Sequence, residues 1–165
     1  MPSYPNQVED YTVGNLLQEG LTGSTFAATT KRKGQPVQAV VKFGHPERSA
    51  CDDGVLARLC KQIDLRLVRY LEVGSQGDEY SGWAVSDSFR PLSLDKLRRE
   101  ATLEERIRLI AEVAEAIALL HELDQPVVHG HLKPSNVIVR RELKATQPIV
   151  TDLGFASYTE AHKDN

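Results

Sequence analysis

Two short patterns in the first half of the chain combine residue types that bind phosphate. Gly20-Leu21-Thr22-Gly23 lies between two predicted strands, and glycines let backbone N–H groups approach phosphate oxygens closely. Lys42 ends the apolar run Ala39-Val40-Val41, where a partly buried ammonium needs an anionic partner. Taken singly, each pattern is more often a glycine-containing hairpin or a lysine that reaches water.

Two further patterns lie in the second half. The octet His129-Gly130-His131-Leu132-Lys133-Pro134-Ser135-Asn136 occupies a predicted loop between short strands. A metal pair at His129 and His131 is the weaker interpretation, because a closed zinc site needs four ligands and neither cysteine is near in sequence. Asp152 follows the apolar run Ile149-Val150, where a carboxylate can hold a hard cation such as Mg²⁺. An ordinary aspartate between a strand and a turn explains that position equally well.

The elements that must position these residues follow from hydrophobic periodicity and turn signals. The first half is predicted to begin with an antiparallel meander of strands at 11–17, 26–30 and 37–43, followed by a helix at 52–63 and further strands at 67–73 and 83–86. The second half is predicted to be helix-rich, with a short helix from Ser93 and a long one at 103–123. Thr102 and Glu105 form a capping-box pattern and Pro126 stops the long helix. Short β runs follow at 127–128, 137–139 and 149–150.

Composition limits the classes of function. The 165 residues are 41% hydrophobic and 26% charged with a net charge of -3, which is typical of a globular domain and unlike the basic footprint of a nucleic-acid binder. The apolar stretch 107–120 is interrupted by charges, so we expect no membrane span. The first residues lack a signal-peptide pattern and the chain has two cysteines. We therefore expect a reducing, cytoplasmic location.

Together and in this order, the four patterns resemble the signature set of the protein-kinase superfamily. The resemblance extends from about Tyr11 to Ser157, and Lys133-Pro134 resembles the serine/threonine branch. It implies an α+β, protein-kinase-like fold with a β-rich N-lobe and an incomplete helical C-lobe. The implied boundaries are a flexible lead-in at 1–10, the N-lobe at 11–86, a hinge at 87–91, and a partial C-lobe at 92–165.

The resemblance also assigns roles to matching positions, with ATP and Mg²⁺ as the implied cofactors. Asn136 and Asp152 resemble the two Mg²⁺ ligands, and Lys133 lies in the catalytic loop. His131 stands where an active kinase has the catalytic aspartate. The implied nucleotide-binding residues are Gly20, Gly23, Thr25, Val40, Lys42, Ser86, Asp87 and Phe89.

Several departures from the family pattern argue against efficient phosphoryl transfer. Histidine at 131 is bulkier than a carboxylate, and its protonated form repels Mg²⁺. Gln18 replaces the first loop glycine, and the helix glutamate that pairs with Lys42 is missing, with Asp52 or Asp53 nearest. The sequence also ends soon after Asp152, before the family's activation segment. We therefore expect a nucleotide-binding pseudokinase. The alternatives are a serine/threonine kinase whose sequence has been cut short, and an interaction module that binds no nucleotide.

The long helix adds an expectation about partners. It is apolar on nearly every face in its second half, and such a helix expects burial all round. The strands that follow are too short to cover every side. We therefore expect a protein partner or self-association to cover the 103–123 helix, through the stripe Leu109, Val113, Ala116 and Leu120.

Overall fold

The computed structural model describes residues 4–47, 49–51, 53–61, 64–74, 77, 79–88, 92–93, 101–142 and 145–157. These form two compact units, each built from discontinuous stretches of chain. The first contains the described residues within 1–61, 69–88 and 154–165, and the second those within 62–68 and 89–153. The division differs from the predicted N-lobe at 11–86 and C-lobe at 92–165. Residues 64–68 belong with the second unit, and residues 154–157 return to the first.

The first unit is organised around a six-stranded antiparallel sheet. Its strands are β1 (Gln7–Val8), β2 (Tyr11–Glu19), β3 (Gly23–Arg32), β4 (Gln35–Gly44), β6 (Tyr70–Gly74) and β7 (Trp83–Asp87). Their spatial order is β1-β2-β3-β4-β7-β6. The meander predicted from the first three long runs is present, because β2, β3 and β4 pair in sequence order. The lead-in predicted to be flexible is partly ordered, since β1 pairs with β2.

One face of this sheet carries the apolar core of the unit. Val41, Phe43 and Val85 are fully buried there, as the period-two alternation of strands requires. The lead-in contributes Tyr4, whose ring centroid lies 5.0 Å from that of Phe26 and 5.1 Å from that of Phe43. An aromatic cluster at one end of the sheet therefore fixes the beginning of the described chain.

A small two-stranded sheet and a short helix complete the first unit. β5 (Ser49–Cys51) pairs antiparallel with β11 (Phe155–Ser157), and helix α1 spans Asp53–Leu59. The helix is shorter than the predicted 52–63: residues 60–61 form a turn, while 52, 62 and 63 lie outside the described residues. Gly154, with φ of 78°, lies against Leu56 of α1, so the returning segment packs on this helix.

The second unit pairs a long helix with a small sheet. Helix α2 spans Leu103–His121, and the strands are β8 (Leu92–Ser93), β9 (Val137–Glu142) and β10 (Ala145–Val150), in the order β10-β9-β8. Ser93, predicted to cap a short helix, lies in a strand, and 94–100 are outside the described residues. The predicted β run at 127–128 is wrong. The Val127 backbone N–H instead donates to the Leu120 carbonyl at 2.9 Å, and this bond folds the chain back on the helix end.

The capping box predicted for α2 is half formed. The Thr102 hydroxyl accepts from the Glu105 backbone N–H at 3.2 Å, as predicted. The Glu105 carboxylate does not reach back, because it accepts a hydrogen bond from the Thr146 hydroxyl at 2.6 Å. Arg108 donates to the same threonine hydroxyl at 2.6 Å and to its carbonyl at 2.9 Å. A tertiary contact to β10 therefore replaces a local cap.

The helix face predicted to lack cover is the one that is covered. Leu109, Ala116 and Leu120 are almost fully buried and Val113 is half-buried, so the predicted stripe packs within the unit. The exposed apolar side chains lie on another stripe: Leu103 is 72% exposed, Ile107 60% and Ile110 68%. Association through this helix stays a prediction, and these three side chains now carry it. Within the described residues, no helix is long and apolar enough to cross a bilayer.

Candidate functional site

The sheet face opposite the aromatic cluster carries four of the eight predicted nucleotide-binding residues. Thr25 on β3 is the register partner of Lys42 on β4, and Val40 on β4 is the partner of Ser86 on β7. Register partners point to the same face, as do residues two apart on one strand. Thr25, Val40, Lys42 and Ser86 therefore share one face of the first unit. Asp87, the last residue of β7, is one position out of phase with Ser86.

Gly20-Leu21-Thr22-Gly23 forms the tight turn between β2 and β3, closed by a hydrogen bond from the Gly20 N–H to the Gly23 carbonyl at 2.9 Å. Gly23 faces Gly44 across the sheet, and a Cβ at Gly23 would lie 2.1 Å from the Phe43 carbonyl oxygen. A Cβ at Gly20 would meet only the Gly23 oxygen, at 3.5 Å. The fold thus requires glycine at position 23, whereas position 20 has room for a side chain.

Lys42 is buried, with 9% of its surface exposed, beside this turn. Its ammonium donates a hydrogen bond of 2.8 Å to the Thr22 hydroxyl. It also lies 4.9 Å from the ring centroid of Phe155, within cation–π range. Sequence reasoning assigned no role to Thr22 or Phe155, and neither residue carries a local signal, because both contacts are created by strand pairing. Asp52 and the Asp53 side chain, predicted as the nearest carboxylates, lie outside the described residues, as does Phe89.

In the second unit, the octet forms a loop whose backbone is held by Asn136. The Asn136 side-chain amide donates to the His131 carbonyl at 2.9 Å, and its backbone N–H donates to the Lys133 carbonyl at 2.9 Å. Residues Pro134–Asn136 make a single 3₁₀ turn before β9. His129 is buried at 4% exposure, and its Nδ1 faces the His131 backbone N–H at 3.4 Å. Hydrogen bonds to both its backbone N–H and its carbonyl thus hold His131 in this loop.

The structure brings Asp152 next to this loop. The Asn136 carbonyl accepts two hydrogen bonds from Thr151, one from the backbone N–H at 2.8 Å and one from the hydroxyl at 3.0 Å. Asn136 and Thr151 each lie directly beyond the register pair Val137 and Val150. Asn136, just before β9, and Asp152, just after β10, therefore lie at the same end of the β9–β10 hairpin.

Asp152 has φ of 64°, in the left-handed region. Aspartate tolerates this conformation better than most residues, yet non-glycine residues there are uncommon and cluster at functional sites. Because the Asn136 amide nitrogen is bonded to His131, its oxygen is the atom left to accept or coordinate. An amide oxygen and a carboxylate at one end of a hairpin fit a hard cation. In the part of the chain that the structure describes, no group of three His, Cys, Asp or Glu side chains is arranged to hold a metal ion.

Known proteins similar to this chain include several kinases. No family model matches the sequence. The L-type lectin-domain containing receptor kinase V.8 of Arabidopsis thaliana is 30% identical over 161 residues, which are 92% of this chain and 25% of that protein. Calmodulin-binding receptor-like cytoplasmic kinase 1, also from Arabidopsis thaliana, is 31% identical over 94 residues, which are 56% of this chain and 19% of that protein.

Among solved structures, PpkA-294 in its apo form matches with a TM-score of 0.63 at 13% identity, covering 92% of this chain and 62% of that one. The chain therefore has a kinase-like fold, and its sequence is related to the protein-kinase superfamily. These similarities support the superfamily predicted from the motifs. The chain spans about a quarter of the length of the curated relatives it matches most fully.

Proposed function

We propose that this chain binds ATP with Mg²⁺ and transfers phosphate slowly or not at all, as a pseudokinase that acts by binding. The observation that carries this proposal is the junction of Asn136 with Thr151 and Asp152. Two hydrogen bonds from Thr151 to the Asn136 backbone carbonyl hold Asn136 and the left-handed Asp152 at the same end of a hairpin. Asn136 and Asp152 are also the positions at which the kinase pattern has its metal ligands.

In this proposal, residues of the first unit bind the phosphates and the base of the nucleotide. Lys42 presents a buried cation for phosphate oxygens, and the glycine turn beside it is tight enough for backbone N–H groups to approach them. Val40 and Ser86 lie on the same sheet face and line the position of the base. When bound, Mg²⁺ neutralises charge on the phosphates, and Asn136 with Asp152 would hold it.

Turnover is expected to fail at His131. The catalytic aspartate of an active kinase accepts the proton of the substrate hydroxyl and orients that hydroxyl for attack. Asn136 holds the loop backbone by donating to the His131 carbonyl. We therefore attribute the expected loss of catalysis to the imidazole side chain and not to the loop conformation. Turnover near ~1–100 per second with radiolabelled ATP and a generic basic protein would refute the proposal. We expect His131→Asp alone not to restore activity to this chain.

Binding is tested by melting the protein in Mg-ATP. A ligand at ~100 times its dissociation constant stabilises the folded state by about 2.7 kcal/mol, which raises the melting temperature of a chain of this size by roughly 5–10 °C. Lys42→Ala and Asp152→Asn should each reduce the shift in melting temperature. Asparagine is chosen at position 152 because it tolerates the left-handed backbone conformation found there. Lys31→Ala, an exposed lysine on β3 of the same sheet, is the matched control for charge. No shift in the wild-type protein with millimolar nucleotide and Mg²⁺ would leave the interaction-module alternative.

A further inference from the structure

We propose that Thr22 is a positioning residue for Lys42, and that its hydroxyl orients the ammonium that binds nucleotide phosphate. The inference rests on the nucleotide function proposed above and adds a residue to it. The helix glutamate that holds this lysine in the kinase pattern is missing from the sequence, and α1 contains no glutamate between Asp53 and Leu59.

The contact itself is short and buried. The Lys42 ammonium donates to the Thr22 hydroxyl at 2.8 Å, and Thr22 is only 2% exposed. A buried hydroxyl needs a hydrogen-bond partner, and a buried ammonium needs acceptors. The Thr22 hydroxyl therefore supplies an acceptor for the buried ammonium, and the ammonium supplies a donor for the buried hydroxyl. A lysine that reached water, or a threonine in an exposed turn, would not need such a partner.

The turn that carries Thr22 is held in place by backbone contacts. The Thr22 carbonyl accepts from the His45 backbone N–H at 3.2 Å, and Gly23 is pressed against Gly44 in register. Beyond the turn, Ser24 is bonded to the Tyr4 hydroxyl at 3.0 Å. The backbone at Thr22 is thus held in place, so its hydroxyl can orient the Lys42 side chain.

A neutral acceptor suits this role. Lysine has three N–H donors, and the Thr22 hydroxyl accepts from one of them without bringing a negative charge of its own. On another side, the Phe155 ring at 4.9 Å favours the same charge through its π face. Thr22 can therefore orient Lys42 without adding a negative charge, whereas a carboxylate in its place would add one.

The test compares Thr22→Val, which removes the hydroxyl at nearly constant shape, with Thr22→Ser, which keeps it. Mg-ATP affinity is measured by calorimetry. In a second arm without nucleotide, the rate at which an amine-reactive reagent labels Lys42 is followed by mass spectrometry. We expect Thr22→Val to weaken Mg-ATP binding by about tenfold, the effect of losing one hydrogen bond to a charged group. Its Lys42 should also be labelled several-fold faster, because a partner that favours the charged, unreactive form is lost.

Thr22→Ser should stay close to wild type in both arms. If Thr22→Val fails to fold, Thr22→Ala replaces it, since that change leaves space instead of adding an apolar group. Unchanged or tighter nucleotide binding together with unchanged labelling would overturn the proposal. If wild-type protein binds no nucleotide, the labelling arm still decides whether Thr22 orients Lys42, so failure of the nucleotide function is seen separately.

Discussion

Replacing Gly23 by alanine tests whether the glycine turn is fixed by the fold. The added Cβ would lie 2.1 Å from the Phe43 carbonyl oxygen, 3.0 Å from its carbon and 3.1 Å from the Gly44 Cα. All three are backbone atoms of β4, so no side chain can rotate away to make room. The two strands must separate or the turn must move.

Forcing an atom into a packed position costs typically 1–3 kcal/mol, and we expect the upper end here because only backbone is in the way. For a chain of this size that corresponds to a fall in melting temperature of roughly 6–12 °C. Gly20→Ala is the matched control from the same turn, since its Cβ meets only one atom at 3.5 Å. It should change stability by no more than about 0.5 kcal/mol.

Circular dichroism melts of the two variants beside wild type give the comparison directly. A Gly23→Ala protein that melts within a degree of Gly20→Ala would show that the β3–β4 register at Gly44 is not the one described. If Gly23→Ala folds at reduced stability, it should also lose nucleotide affinity, because the displaced turn carries Thr22 away from Lys42.

Other predictions concern the second unit. Leu109→Ala should cost about 2–5 kcal/mol of unfolding free energy because the side chain is 1% exposed. Ile110→Ala, one residue along and 68% exposed, should be nearly neutral, and equal melting temperatures for the two would contradict the assignment of helix faces. Hydrogen bonds from Arg66 lower the pKa of Asp64, so the stability that this carboxylate adds is present above about pH 4 and is lost as pH falls through its folded pKa. Urea unfolding of wild type and Asp64→Asn from pH 2 to 7 should therefore converge at the acid end, and a constant gap would be inconsistent with it. If α2 mediates self-association, Ile107→Ser with Ile110→Ser should abolish the concentration dependence in sedimentation, while a wild-type protein that is monomeric at all concentrations would end that prediction.

Sequence patterns predicted five of the six strands of the main sheet, because turn residues separate their apolar and β-branched runs; β1 and the pairing of β7 with β4 were not predicted. The order β2-β3-β4 and the α2 N-terminus at Thr102 follow from such local signals. β5 and β11 were missed, since Ser49–Cys51 and Phe155–Ser157 are three residues long and exist only because they pair with each other.

The errors on α2 have a different cause. Its apolar residues surround most of the helix, so periodicity could not say which stripe packs against β9 and β10. The contact that decides it, Arg108 and Glu105 meeting Thr146, joins residues far apart in sequence. The role of Thr22 was missed for the same reason. Residue types predicted the glycine turn and Lys42, but the contact between them depends on the register of β3 with β4, which the sequence does not reveal.

The pairing of β5 with β11 has a consequence for how the chain folds as it is synthesised. Cys51 and Phe155 are register partners although the whole of the second unit lies between them in sequence. Contacts of such long sequence separation form late, because the loop they close must be ordered first. The first unit therefore cannot finish folding when its six-stranded sheet has left the ribosome; it must wait for residues 154–157. Until then Leu56 of α1 lacks the Gly154 backbone against which it packs. Any fragment designed to isolate the N-terminal sheet by stopping near residue 88 would keep that defect permanently, and would be prone to aggregation through the unpaired β5 edge.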